Sequence, residues 1–172
     1  SGDYVISCHQ FFHPQFKVMR SDREGNWTPF PNEAMNTPGS GDPMLLDSVL
    51  GIACDARGIV WMLDNGRRSG LAAKLIAWDT KRDAHVKSIV IDAIALSPIS
   101  FLTNIALDPA GRYVYICDPA DGYNAAIIVV DIQTGLTRRV LEGDRSVQMD
   151  PSISLEVNQQ VVQVRRPDGA LA

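Results

Sequence analysis

Short apolar segments separated by tight turns run through most of the chain and predict β-strands. Leu102–Leu107 is apolar and rich in residues that favour strands, and Tyr113–Cys117 is similar. Asp108–Gly111 lies between them, with proline early and glycine late as a tight turn requires, so this region predicts a β-hairpin. Ala126–Asp131 and Leu136–Leu141 predict two further strands. No apolar segment with helical periodicity is long enough to form a crossover helix.

The same hairpin pattern occurs twice in the chain. Ile52–Asp64 can be aligned with Ile105–Asp118 with one inserted residue, and the turn glycines Gly58 and Gly111 are 53 residues apart. A fixed period of this size indicates a repeated structural unit. The sequence therefore predicts units of four antiparallel strands, each slightly more than fifty residues long.

Four-stranded antiparallel units of this length are typical of the blades of a β-propeller. We expect an all-β fold of about three four-stranded blades in one partial propeller domain, residues 1–172, with blades near 1–46, 47–100 and 101–150 and a further blade starting in 151–172. Closed propellers have about four to eight blades, so three would form only part of a ring. The alternative is a β-sandwich, which needs no repeat of blade length.

Both ends of the sequence show incomplete units. Tyr4–His9 matches Tyr113–Asp118, which is the second strand of its unit, so we expect the first strand of that unit to lie upstream of Ser1. Gln160–Arg166 predicts a strand whose successor is missing. An open arc of blades leaves apolar faces uncovered. We expect the remaining blades of the same propeller, or a second copy of the chain, to cover them.

Composition and charge are those of an ordinary folded domain, with 45% hydrophobic residues, 21% charged residues and a formal charge of −4. No apolar run approaches the roughly 18 residues of a membrane helix, so we expect no membrane span. No block of lysine and arginine suggests a phosphate-binding surface, so nucleic acid is not an expected partner.

The cysteines Cys8, Cys54 and Cys117 are far apart and lack the C-x-x-C spacing of a zinc ribbon. Cys8 and Cys117 occupy equivalent places in different units, so their backbones should be farther apart than the roughly 7 Å that a disulfide allows. We therefore expect buried, free thiols. Trp61 and Trp78 lie in predicted strands, and we expect both to be buried between blades.

Hairpin geometry brings polar residues of different units to one end of the fold. The first two strands of a unit are antiparallel, so residues just before the first strand and just after the second lie together. If the first strands line a central channel, these residues surround its mouth, where a small ligand is expected. The predicted ligand-binding residues are His9, Ser48, Asp64, Asn65, Thr103, Asn104 and Asp118.

Each of these residues also has a structural alternative. Asp64 and Asp118 stand in turn sequences, where aspartate commonly accepts hydrogen bonds from nearby backbone amides. His9 stands where the other units have aspartate, and it is either a general base, a metal ligand or a hydrogen-bonded structural histidine. The phenylalanines that follow it either wall an aromatic pocket or pack in the core; they are Phe11, Phe12 and Phe16.

A series of segments in a fixed order carries a family resemblance: Ser48–Asp55, Val60–Gly66, Lys74–Asp79, Ser100–Asp108, Tyr115–Asp118 and Arg138–Leu141. Together they resemble the yellow and major royal jelly protein family, in the form found in bacteria. Members of that family form six-bladed propellers, which implies that about half of the ring is present here. The resemblance implies a small-molecule-binding protein, with an aromatic pocket that would suit small amines. It also favours an extracellular or periplasmic location.

The hairpin pattern is more distantly similar to the gluconolactonase and regucalcin-like group, which would imply a calcium-assisted lactone hydrolase. Proteins of that group hold the cation with a carboxylate and with asparagines at the start of inner strands. The asparagine position corresponds here to Leu50 and to Thr103, and leucine cannot ligate calcium. We therefore assign no metal ligand, and calcium is a cofactor only under this alternative. No G-x-S-x-G motif points to another hydrolase, and the residues leave open whether the protein is an enzyme.

Overall fold

The computed structural model describes residues 2–37, 44–67, 69–150 and 152–162 of the chain. These residues form antiparallel β-sheets, together with one short helix, α1 (Glu33–Asn36), and two 3₁₀ turns at Gln10–Phe12 and Ala93–Ala95. Among the described residues, no helix has both the length and the apolar character needed to cross a membrane.

The strands fall into separate sheets. The first sheet contains β1 (Tyr4–Ser7), β2 (Val18–Ser21) and β3 (Trp27–Pro29). The second sheet contains β4 (Val49–Cys54), β5 (Ile59–Asp64), β6 (Lys74–Asp79) and β7 (Ala84–Val90). The third sheet contains β8 (Ile105–Leu107), β9 (Tyr113–Asp118), β10 (Ala126–Asp131) and β11 (Thr137–Val140). A final pair contains β12 (Leu155–Val157) and β13 (Gln160–Val162).

Within each sheet the strands are hydrogen-bonded in the order in which they occur in the sequence. Such up-and-down meanders are the architecture of propeller blades, whereas Greek-key connections join the two sheets of a sandwich. The expected all-β fold, a partial β-propeller with four-stranded blades, is thus confirmed. The blade boundaries near residues 46, 100 and 150 stay a prediction.

Two apolar clusters fill the spaces between consecutive sheets. The cluster between the second and third sheets includes Trp61, Leu63, Leu75, Val114, Ile116 and Ile128. The cluster between the first and second sheets includes Val18, Phe30, Val60, Met62, Ile76 and Trp78. Alternate residues of β5 point to opposite clusters, as the two-residue period of a strand requires. The second sheet is therefore covered on both faces, and Trp61 and Trp78 are buried as expected, at 3% and 8% exposure.

Gly51 marks the place where the first strands of two blades meet. A Cβ atom on Gly51 would lie only 3.1 Å from the Cα of Asn104 and from the carbonyl oxygen of Thr103. Few real Cβ atoms have backbone neighbours that close. The absence of a side chain thus lets the start of β8 pack directly against β4, at the inner edge of both sheets.

The cysteines are free but they are not buried. Cys54 and Cys117 are exposed, and Cys8 is half-buried. Along β9 the residues alternate between the cluster and solvent, and Cys117 falls on the outward-facing positions while Val114 and Ile116 face the cluster. The expectation of buried thiols was therefore wrong. Cys117 lies on a face of the third sheet that is open within the described part of the chain, and Cys54 is the exposed last residue of β4.

Candidate functional site

The mouth end of the sheets is defined here as the end at which β4 begins and β5 ends. Val49 pairs with Asp64 at this end of the second sheet. In the third sheet the Thr103 N–H donates to the carbonyl oxygen of Cys117 at 3.1 Å. Residues that precede the first strand and follow the second therefore lie together in both blades.

Asp64 holds the segment that precedes β4. The carboxylate is fully buried and accepts the backbone N–H groups of Asp47 at 2.7 Å, Ser48 at 2.9 Å and Gly66 at 3.0 Å. The buried Lys74 ammonium lies 3.2 Å from the same carboxylate. These contacts use both oxygens and neutralise the charge, so the carboxylate fixes the backbone at the mouth end.

Asp118 repeats this arrangement in the third sheet. Its carboxylate accepts the Ser100 hydroxyl at 2.5 Å and the Phe101 N–H at 2.7 Å, and it pairs with the Arg139 guanidinium at 2.6 Å. Burial raises the pKa of Asp118, but hydrogen bonds from Arg139, Ser100 and Phe101 outweigh burial and hold that pKa below its usual value. The group therefore stays ionised at neutral pH.

The geometry supports a structural role for both aspartates. Each lies at the end of the second strand of its sheet and binds the segment that precedes the first strand, and we call this arrangement a clamp. The cations that complete the clamps were not found from the sequence. Lys74 begins the third strand of its blade, whereas Arg139 lies in the fourth strand of the next blade. Aligning the repeated units does not superimpose these two cations, so the repeat carried no signal for them.

Ser48 and Asn65 are also buried, and they join neighbouring blades. The Ser48 hydroxyl donates to the side-chain oxygen of Gln10, beside the first sheet. The Asn65 amide donates to the carbonyl oxygen of Leu102 at 3.3 Å, ahead of the third sheet. Both side chains thus serve as links between sheets at the mouth end.

His9 caps the 3₁₀ turn that follows β1. Its Nδ1 accepts the Phe11 N–H at 3.1 Å, so in the neutral ring the proton lies on Nε2. The rings of His9 and Phe11 lie 4.3 Å apart between centroids. Phe11 and Phe12 are 72% and 84% exposed, so these two residues do not pack in the core. These two exposed rings form an aromatic cluster with His9, which is half-buried, as is Phe16.

Thr103 and Asn104 differ from the other predicted site residues because their side chains make no hydrogen bond to the described part of the fold. Thr103 is half-buried and Asn104 is exposed. Among the hydrogen bonds of the described residues, none involves either side chain. Asn104 also borders a depression of about 310 Å³ on the open face of the third sheet, together with Tyr115 and Cys117.

A second depression, of about 360 Å³, lies between the second and third sheets at the mouth end. Asn65, Arg67 and Ser100 contribute to its wall. The Arg67 guanidinium donates to the carbonyl oxygen of Ser100 and lies 5.4 Å from the centre of the Phe101 ring. Arg67 is the one exposed charge at this depression in the described chain, and no repeat or motif had singled it out.

Calcium does not fit the groups found at the mouth end. Asp64 and Asp118 are already paired with the buried cations Lys74 and Arg139. A calcium ion would have to displace those cations from sites closed to water. Over the described ranges, no cluster of three or more His, Cys, Asp or Glu residues could hold a metal ion.

Comparison with known proteins supports the first of the two resemblances. Residues 47–172, nearly three quarters of the chain, match the sequence model of the family described as major royal jelly protein. The match begins just before β4 and covers the second and third sheets, with the clamps around Asp64 and Asp118. No curated protein matched the chain. The chain belongs to the major royal jelly protein family.

Proposed function

We propose that the protein binds a small molecule at the mouth end, with Thr103 and Asn104 as the contact residues of the third sheet. The observation that carries this proposal is the division among the seven predicted residues. Four of them are buried, and each makes a hydrogen bond within or between sheets: Ser48, Asp64, Asn65 and Asp118. The Asn104 side chain is exposed and has no such task.

The aromatic cluster at His9 supplies an apolar surface at the mouth end, in addition to the polar side chains of Thr103 and Asn104. Phe11 and Phe12 present exposed rings, and the faces of aromatic rings attract organic cations. Amide and hydroxyl oxygens such as those of Asn104 and Thr103 accept hydrogen bonds from an ammonium group. We therefore take a small aromatic amine as the ligand class.

The proposal is tested by calorimetric titration of the protein with phenethylamine and, in parallel, with phenylacetate. We expect the amine to bind, and we expect Asn104→Ala to weaken its binding about tenfold, as loss of a hydrogen bond to a charged group predicts. Gln133→Ala is the matched control, because Gln133 is an exposed amide on the turn between β10 and β11, at the other end of the blade. Absence of amine binding, or equal loss in both variants, would contradict the proposal.

Calcium-assisted lactone hydrolysis is not proposed for this chain. No observation favours it, because the carboxylates at the mouth end are neutralised by Lys74 and Arg139.

A further inference from the structure

A groove of about 520 Å³ lies at the opposite end of the blades, between the second and third sheets. This is the end at which β5 begins and β6 ends, since Ile59 pairs with Asp79. The groove is therefore separate from Thr103 and Asn104, and its interpretation does not depend on the function proposed above.

The inner wall of this groove is apolar. It consists of Ile59, Trp61, Val86 and Ile132. Val86 is 51% exposed, although it is a large apolar side chain in a strand. Covering it would remove apolar surface from water, which favours binding of an apolar body.

The rim of the groove is cationic. Its charged residues are Arg57, Lys81, Arg82, Lys87 and the single carboxylate Asp79. Two of the cations are paired: Arg57 lies 2.7 Å from the carboxylate of Asp55, and Arg82 lies 3.4 Å from that of Asp79. Among the described residues, neither Lys81 nor Lys87 has a carboxylate within 4 Å, although the charge of Lys81 helps to lower the pKa of Asp79 and that of Lys87 the pKa of Asp131.

Lys81 is the cation best placed to meet a ligand. The Lys87 ammonium donates to the backbone carbonyl oxygens of Ile132 and Gln133, which are neutral. The Lys81 side chain is exposed, and within the described chain its ammonium makes no hydrogen bond. Asp79 lies in the same groove, but its carboxylate already accepts the backbone N–H groups of Lys81 at 2.8 Å and Arg82 at 3.1 Å.

We propose that this groove is a second binding site, for a small organic anion with an apolar body. The body lies against Val86 and the apolar wall beside it, and the anionic group pairs with the Lys81 ammonium. A concave apolar wall with a few polar groups at its rim is the usual composition of a small-molecule site. A charge-assisted hydrogen bond at the rim would fix the orientation of the ligand.

The probe for this proposal is naphthalene-2-carboxylate, titrated into the protein by calorimetry at low ionic strength. Neutral 2-naphthol supplies the body without the charge, and inorganic sulfate supplies an anionic group without the body. We expect the carboxylate to bind most tightly, and we expect Lys81→Gln to weaken it about tenfold. Lys81→Arg keeps the charge and should restore most of the affinity.

Arg138→Gln is the matched control, because it removes one exposed positive charge that lies on β11 and outside the groove. It should leave the affinity unchanged, and circular dichroism of all variants should match that of the parent protein. Equal binding of 2-naphthol would overturn the proposed charge recognition. Equal loss in Lys81→Gln and Arg138→Gln, or no binding of the carboxylate, would also overturn the proposal.

Discussion

At Asp118 two opposing effects act on one carboxylate. Burial raises its pKa, whereas hydrogen bonds from Arg139, Ser100 and Phe101 lower it by more. A group whose pKa is lower in the folded state stabilises the fold above its unfolded pKa, which is about 3.9 for aspartate. That stability is lost as the pH falls through the lower pKa of the folded state.

Asp118→Asn should therefore lower the free energy of unfolding at pH 7. We expect a loss of about 3 kcal/mol, the lower end of the range for breaking a buried pair, because Glu142 still contacts Arg139 at 3.2 Å. The difference from the parent protein should shrink below about pH 4, since Asp118 is then being protonated in the parent as well. Denaturant titrations between pH 7 and pH 2 measure this, with exposed Asp3→Asn as control. A pH-independent difference would contradict the account.

Trp61 and Trp27 allow a matched test of burial at the residue scale. Trp61 is 3% exposed between two sheets, whereas Trp27 is 49% exposed on β3. Trp61→Ala should lower the free energy of unfolding by about 3–5 kcal/mol, because it leaves a cavity in the core. Trp27→Ala should cost much less. Equal unfolding midpoints for the two variants would mean that the register assigned to β5 is wrong.

The sequence predicted that the site residues lie together at one end of the sheets, but it did not predict which partners they bind. The turn chemistry of Asp64 and Asp118 indicated hydrogen bonds to local backbone amides. The bonds of Asp64 to Asp47 and Ser48 join the end of β5 to the segment that precedes β4, and Asp118 pairs with Arg139 on a different strand. Such long-range partners depend on the register of the sheet, which a single sequence does not specify.

At the scale of the element, β9 shows what the alternation of apolar and polar residues can predict and what it cannot. Its alternating pattern predicted a strand, and the structure has that strand at Tyr113–Asp118. Which of its faces is covered depends on the neighbouring sheets, and the position of Cys117 was misjudged for that reason. In β5 both faces are covered, so its continuous apolar run carried no alternation at all.

Cysteine labelling tests this assignment of faces. All three thiols are free, and Cys54 and Cys117 are exposed. Partial burial of the sulfur raises the pKa of the Cys54 thiol, and the charge of Asp55 adds to the effect, so labelling should be done at mildly alkaline pH. We expect Cys54 and Cys117 to react in the folded protein and Cys8 to react more slowly. Fewer than three reactive thiols after denaturation would indicate a disulfide and contradict the structure.

At the scale of the whole molecule, the sheet order makes each blade a meander, so the repeat alone was enough to predict the propeller class. The third sheet carries an open face with Ala106, Tyr115, Cys117 and Ile127 around a depression. We expect the remaining blades of a propeller, or a second copy, to cover this face.

Light scattering on the isolated 172-residue chain tests that expectation. We expect concentration-dependent association, because apolar surface on an open sheet face is removed from water when two copies meet. Tyr115→Lys should weaken the association, since it places a charge on the open face. A stable 18.8 kDa monomer at high concentration would contradict the prediction.

The most direct test of the proposed function is amide chemical-shift mapping during titration of the protein with phenethylamine. We expect the largest saturable shifts at Thr103, Asn104 and the neighbouring Cys117, with smaller shifts at His9 and Phe11. Shifts confined to the groove around Lys81, or no saturable shift at all, would contradict a ligand site at the mouth end.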